Sequence, residues 1–245
     1  TRFSHNHLIT LSEMTGMYLL MWSPVLWELI EINEEKIPPD YIETFREEKA
    51  LIDDFASGLG AIQRAFANIP VYMIFDDHDI TDDWNLTAEW ELMAYGHPLS
   101  KRIIGNALMG YFLCQGWGNN PEAFDSTFHQ HLQLAIGNLG KEQHDDFIDQ
   151  LLKFDQWHYQ WQTTPKLVVL DTRTHRWRSE SNFGKPSGLM DWEALTDLQQ
   201  TILGEVSHLK NPSLKKELPT NTKFKSSIYK TNFSLDKFFP LRKVD

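Results

Sequence analysis

Apolar residues recur at helical spacing along most of the chain. From residue 10 to 32, Leu11, Met14, Tyr18, Met21, Trp22 and Val25 follow at threes and fours, and Pro24 is expected to kink or divide the segment. This Met and aromatic stripe fits core packing more simply than a cofactor groove. Residues 41–68 give the clearest helix, with Phe45, Ile52, Phe55, Leu59, Ile62, Phe66 and Ile69 on one stripe. Glu43, Glu47, Glu48, Asp53 and Asp54 fall mostly off it, as a solvated face does. Residues 88–117 are helical again, broken at His97-Pro98, with Ile104, Leu108, Tyr111 and Phe112 inward. Further helices are expected over 122–135, over 141–154 with Phe147, Ile148, Leu151 and Leu152 on one side, and over 189–209 with Leu195, Leu198, Ile202 and Leu209 inward.

Elsewhere the period changes. Pro70 opens a β-branched and aromatic run over 71–75, predicted as a buried strand. Residues 157–162 alternate aromatic and polar side chains, as an antiparallel strand does. After a turn at Thr163-Thr164-Pro165, residues 166–171 predict a buried strand that ends in Asp171. Turns are expected over 37–40 and 116–121, and a Ser/Gly/Pro loop over 178–188. Strands that carry acids at their ends among many helices predict an α/β fold, and open α/β sheets present chemistry at those ends.

The run 71–75 stops abruptly at Asp76-Asp77-His78-Asp79, and Asp82-Asp83 follow. Carboxylates this crowded repel unless a cation or a proton compensates them. The expected chemistry is a metal-dependent hydrolase site. Asp77 and His78 lead, since a strand-end Asp ligates hard cations and a neighbouring His protonates a leaving alkoxide or meets charge on a phosphoryl group. Asp76, Asp82 and Asp83 supply further ligands, a helix cap or a partner for the histidine; the bland alternative for the loop is helix capping alone. The loop fits an EF-hand poorly: the turn glycine is missing, and Ala88 stands where the closing Glu belongs if Asp77 leads. An all-helical His-Asp phosphohydrolase fits poorly with a strand directly before His78-Asp79.

Arg173, just past the second acid-ended strand, either neutralises a substrate phosphate or pairs with Asp171 or another carboxylate. His175, Arg176 and Arg178 read as positively charged loop surface. His129 and His131 have metal-like spacing but sit in a helical pattern, and read as surface. His5 and His7 are either the end of a lost motif or a disordered terminus.

Composition narrows the classes. A net charge of −11 offers no platform for nucleic acid or an anionic membrane. The single cysteine, Cys114, rules out an intrachain disulfide and a cysteine-built zinc site, and reads as a buried thiol. The apolar run 16–27 is too short to span a bilayer, and no signal peptide is visible, which favours a cytoplasmic location. The chain opens on Thr1, so upstream targeting stays open. Residues 205–245 hold nine Lys or Arg against four Asp or Glu, whereas 1–204 hold 14 against 30. The expected division is a core region 1–205 and a basic, poorly ordered tail 206–245.

The residues 69–79, I-P-V-Y-M-I-F-D-D-H-D, resemble the metal-binding motif of the alkaline phosphatase D-like (PhoD-like) metallophosphoesterases of the calcineurin-like superfamily. Ser12-Glu13, Met17-Tyr18-Leu19 and Trp22-Ser23 are similar to the helical segment before that motif, and Leu167 to Arg173 to a later strand with Asp-x-Arg. The resemblance covers roughly residues 8–205. It implies a partial calcineurin-like sandwich with a large helical complement, and divalent or trivalent metal ions such as Ca, Mn, Fe or Zn. It implies a phosphate-ester substrate, Asp77 as metal ligand with Asp76 beside it, and His78 in contact with the scissile phosphate. Arg173 is the expected substrate-binding residue. The family's Gly-Asp motif is absent, and the only Gly-His is Gly96-His97 inside a helical stretch. The chain therefore resembles the middle of such an enzyme, or a catalytically incomplete homologue that acts by binding. A partial sheet would leave open edges, so self-association is expected.

Overall fold

Thr10 opens the first helix with a capping box: its hydroxyl accepts from Glu13 N, and the Glu13 carboxylate returns to Thr10 N at 2.8 Å. The computed structural model describes residues 7–31 and 33–208. His5, Leu209 and the basic tail beyond residue 208 lie outside them.

Helix α1 (Leu11–Trp22) ends before Pro24, which starts a 3-10 turn over Val25–Leu29. Leu11, Met14 and Tyr18 are buried, whereas Val25 is exposed. Helix α2 (Ile42–Asn68) is continuous. Its expected buried stripe is not buried: Leu59 is, but Ile62, Phe66 and Ile69 are 38%, 44% and 61% exposed. Trp27 meets Phe55, near the middle of that stripe, edge-on.

A single turn, α3 (Asp77–Ile80), is followed by α4 (Ala88–Gly96) and α5 (Pro98–Tyr111), which part at His97-Pro98 as the proline requires. The chain continues through a π-turn at Phe112–Gly116 into α6 (Trp117–Asn119). Two antiparallel-type neighbours, α7 (Ser126–Gly137) and α8 (Glu142–Lys153), complete the helical body, and α9 (Trp192–His208) closes the described chain. Helix α9 runs across residue 205, and its Leu195 and Ile202 are 44% and 40% exposed rather than inward.

Helix α5 is central: residues 104–111 are all buried, and it packs against α1, α4 and α8. Gly105 allows the closest approach, since a Cβ there would lie 2.3 Å from Ile148 Cγ2 of α8.

The sheet is small. Strand β1 (Tyr159–Trp161) pairs antiparallel with β2 (Leu167–Val169), Gln160 facing Val168. Both are shorter than the segments expected for them, and β2 is half-exposed rather than buried. Among the described residues the fold is thus α/β in the coarse sense of many helices with one two-stranded sheet.

The expected strand over 71–75 is not formed; this corrects the sequence reading. No backbone ladder pairs it among the described residues. Its Met73 carbonyl is instead satisfied by side chains: Asn119 Nδ2 at 2.6 Å and Tyr159 Oη at 3.0 Å, with Tyr111 Oη at 3.4 Å. Nor is the run buried throughout. Val71 and Tyr72 are exposed, Ile74 is half-buried against the core, and Phe75 alone is fully buried in it, where it meets Trp84, Tyr111 and Trp157 edge-on at 5.1, 4.7 and 5.8 Å. Phe75 before the acidic turn and Ile80 and Trp84 after it are all buried, so the core grips the turn on both sides.

Candidate functional site

The acidic turn is built by its own carboxylates. Asp76 is extended and caps α3, its Oδ1 accepting from Asp77 N at 2.8 Å. Asp79 returns the bond, Oδ2 accepting from Asp76 N at 2.7 Å. Burial pushes the Asp79 carboxyl up to about 6, against the lowering effect of that bond.

His78 projects from this turn, 45% exposed, and its Nδ1 lies 3.6 Å from Asp82 Oδ1. One donor atom each from Asp77, His78 and Asp82 falls within 4.8 Å of the others. Two carboxylates and an imidazole suit Mn, Fe or Zn, with water completing the shell. Among the described residues this is the one group of three or more such donors, so a second metal has no comparable set there.

Arg173 reaches the same turn from 96 residues away in sequence. Its Nε and Nη2 donate to Asp77 Oδ1 at 3.1 and 2.9 Å, and Nη2 also donates to Asp76 Oδ1. Nη1 donates to Thr172 Oγ1 at 3.0 Å. Both Asp77 bonds fall on Oδ1 and leave Oδ2 clear of the guanidinium, so the donor set still fits one cation. Burial pushes the Asp77 carboxyl up, but contact with Asp76 and the charge of Arg173 outweigh it and hold it down at about 2. Asp77 is therefore ionised at any working pH.

The position of Arg173 follows from the turn after β2. Asp171 is fully buried, and its Oδ1 accepts from Arg173 N and Thr174 N, both at 2.9 Å, while Thr174 Oγ1 donates to Oδ2. Asp171 thus shapes the backbone of Arg173 and is not the partner of its guanidinium. Across from it, Asn85 Nδ2 donates to the Arg173 carbonyl at 3.1 Å, and Asn85 Oδ1 accepts from Tyr95 Oη at 2.6 Å. Tyr95 Oη in turn accepts from Trp84 Nε1 at 2.9 Å. Asn85 stands at φ 58°, a left-handed conformation that Asn tolerates. Sequence reasoning passed over Asn85 and Tyr95. The available signal was the Asp-Asp-Trp-Asn run after the motif, where residues tolerant of positive φ cluster.

The structure thus brings Asp76, Asp77, His78, Asp82 and Arg173 together. Three other histidines are engaged elsewhere. His131 bonds Gln150 at 2.7 Å, His129 packs on the Trp117 ring, and His97 caps α5. His7, read as a loose terminus or a motif remnant, bonds Thr81 Oγ1 at 3.1 Å beside the acidic turn. Cys114 lies half-buried in the π-turn, and burial pushes its thiol up. No family model, curated protein or solved structure matches the chain.

Proposed function

We propose that the chain acts as a metal-dependent phosphoesterase, hydrolysing phosphate mono- or diesters in the manner of the PhoD-like metallophosphoesterases. The reading takes the helices and the small sheet as part of a calcineurin-like sandwich. The observation that carries it is the convergence of Asp77, His78 and Asp82 within 4.8 Å beside a guanidinium. Asp77 and Asp82 hold a cation such as Ca, Mn, Fe or Zn, and Asp76 supports Asp77 through their shared contact with Arg173. A bound cation supplies Lewis acidity to a phosphoryl oxygen and lowers the pKa of water. His78, exposed next to Asp82, contacts the phosphoryl group and passes a proton to the leaving alkoxide. Arg173 keeps Asp77 ionised and in place.

A second reading has one specific support. Arg173 already neutralises both Asp76 and Asp77, as a scaffold that has lost its metals would require. The chain would then be a catalytically incomplete homologue that acts by binding. Hydrolysis of an aryl phosphate mono- and diester with Mn²⁺, Ca²⁺, Zn²⁺ or Fe²⁺ separates the two. The enzyme reading expects metal-dependent turnover that chelator abolishes and His78→Ala lowers by about 100-fold or more. Turnover no higher than that of His78→Ala would leave only the binding reading.

A further inference from the structure

An arginine carries five N–H donors. Arg173 commits four of them, to Asp76, to Asp77 twice and to Thr172, which leaves little with which to grip a substrate phosphate. Arg176, one turn further on, differs completely. It is half-buried, its Nε is sealed from solvent without a hydrogen-bond partner, and its guanidinium makes no ion pair among the described residues. Burial and the like charge of Arg173 pull its pKa downward, while the charges of Asp77, Asp76 and Asp83 oppose them. A buried Nε–H without a partner is costly, and an anion that accepts from it removes that cost.

Arg176 lines an open hollow of about 480 Å³ together with Trp177, Arg178, Ser179 and Phe183. The other charges on that hollow are already committed or lie at its rim. Arg178 Nε sits 2.8 Å from the buried Glu91. Asp191 Oδ1 accepts from Ala194 N at 2.8 Å, and its Oδ2 lies 4.0 Å from His175. Glu180 is exposed. The walls are fixed by backbone bonds from Gly188 to Trp177 at 3.0 Å, from Ser187 to Leu86 at 2.7 Å and from Glu89 to Phe183 at 3.0 Å. Trp177 and Phe183 are 42% and 55% exposed; Lys185 Nζ lies over the Trp177 ring at 5.6 Å, so a planar group stacks on its other face.

We infer that Arg176, not Arg173, is the anion-binding residue, seated in a hollow that includes Thr174, next to Arg173, and none of Asp76, Asp77, His78 or Asp82. The hollow takes the phosphoryl group of an ester on Arg176 and a planar apolar leaving group against Trp177. The substrate class rests on the phosphoesterase reading, and Arg173 becomes a positioning residue for Asp76 and Asp77.

The test uses the full chain, stripped of metal by chelator, with inorganic phosphate and phenyl phosphate as probes in calorimetry and thermal melts. Both probes should bind and raise the melting temperature. Arg176→Gln should weaken both at least tenfold and abolish the rise, while its ligand-free melt stays at or above the wild-type value because no partner is lost. Arg176→Lys should keep part of the affinity. Trp177→Leu should weaken phenyl phosphate alone. No phosphate binding by the wild type, wild-type affinity in Arg176→Gln, or a lost cooperative melt in both Arg176 variants would overturn the assignment. Phosphate bound through Arg176 without metal-dependent hydrolysis would remove the phosphoesterase reading alone. Hydrolysis with an unchanged KM in Arg176→Gln would remove the Arg176 assignment alone.

Discussion

Arg173 links two distant stretches of chain, and its removal exposes what it holds. Arg173→Ala leaves Asp76 and Asp77 facing each other without a cation, and loses four hydrogen bonds. The expected loss is about 2 kcal/mol or more in chemical denaturation, below the 3–5 kcal/mol of a fully buried pair because Asp76 remains 41% exposed. His144 gives a separate residue-scale prediction. It is buried, its Nδ1 accepts from Gly140 N at 3.1 Å, and burial, helped by the charge of Arg102, lowers its pKa from the ordinary 6.5. A base with a depressed pKa contributes stability that is present above 6.5 and lost as the pH falls below it. His144→Asn keeps an acceptor for Gly140 N, so its melting temperature should change less between about pH 7.5 and pH 5 than that of the wild type. Single residues of the acidic turn were legible in the sequence because their crowding is local. The partner of Arg173 was not: Asp76 and Asp77 lie 97 and 96 positions away, and only the fold brings them together.

Elements with a strong period were readable, and their limits were set by proline. Helices α2, α5 and α8 fall close to where the apolar spacing placed them, and Pro24 and Pro98 divide segments as expected. The run 71–75 misled because β-branched and aromatic composition reports a fit to a pleated surface, and it cannot report whether a neighbouring strand exists. Asn119 and Tyr159 replace that neighbour at the Met73 carbonyl. The α5–α8 contact makes a sharp prediction at this scale. A methyl at Gly105 would meet Ile148 Cγ2 at 2.3 Å in a helix surrounded on its sides, so neither helix can simply shift. Gly105→Ala should therefore cost about 1–3 kcal/mol despite the better helix propensity of alanine, measured by urea unfolding. Gly58→Ala in α2, where nothing lies within 4 Å, should instead be neutral or stabilising by up to about 1 kcal/mol.

Across the whole molecule, apolar surface is unevenly covered. Ile62, Phe66 and Ile69 of the α2 stripe, with Val71 and Tyr72 after it, are all exposed. Contiguous apolar surface of this kind drives association. Light scattering should give a mass above that of one chain that rises with concentration, and Ile62→Glu with Phe66→Glu should lower it; a concentration-independent monomer would contradict this. No helix among the described residues is long and apolar enough to cross a membrane. The acidic turn, by contrast, gathers charge, and we propose that it holds a cation. Calorimetric titration of Mn²⁺ into the chelator-treated chain tests it most directly. A cation site at Asp77 and Asp82 predicts one ion bound per chain, with at least tenfold weaker binding in Asp77→Asn and in Asp82→Asn. No binding by the wild type, or equal binding in both variants, would contradict it.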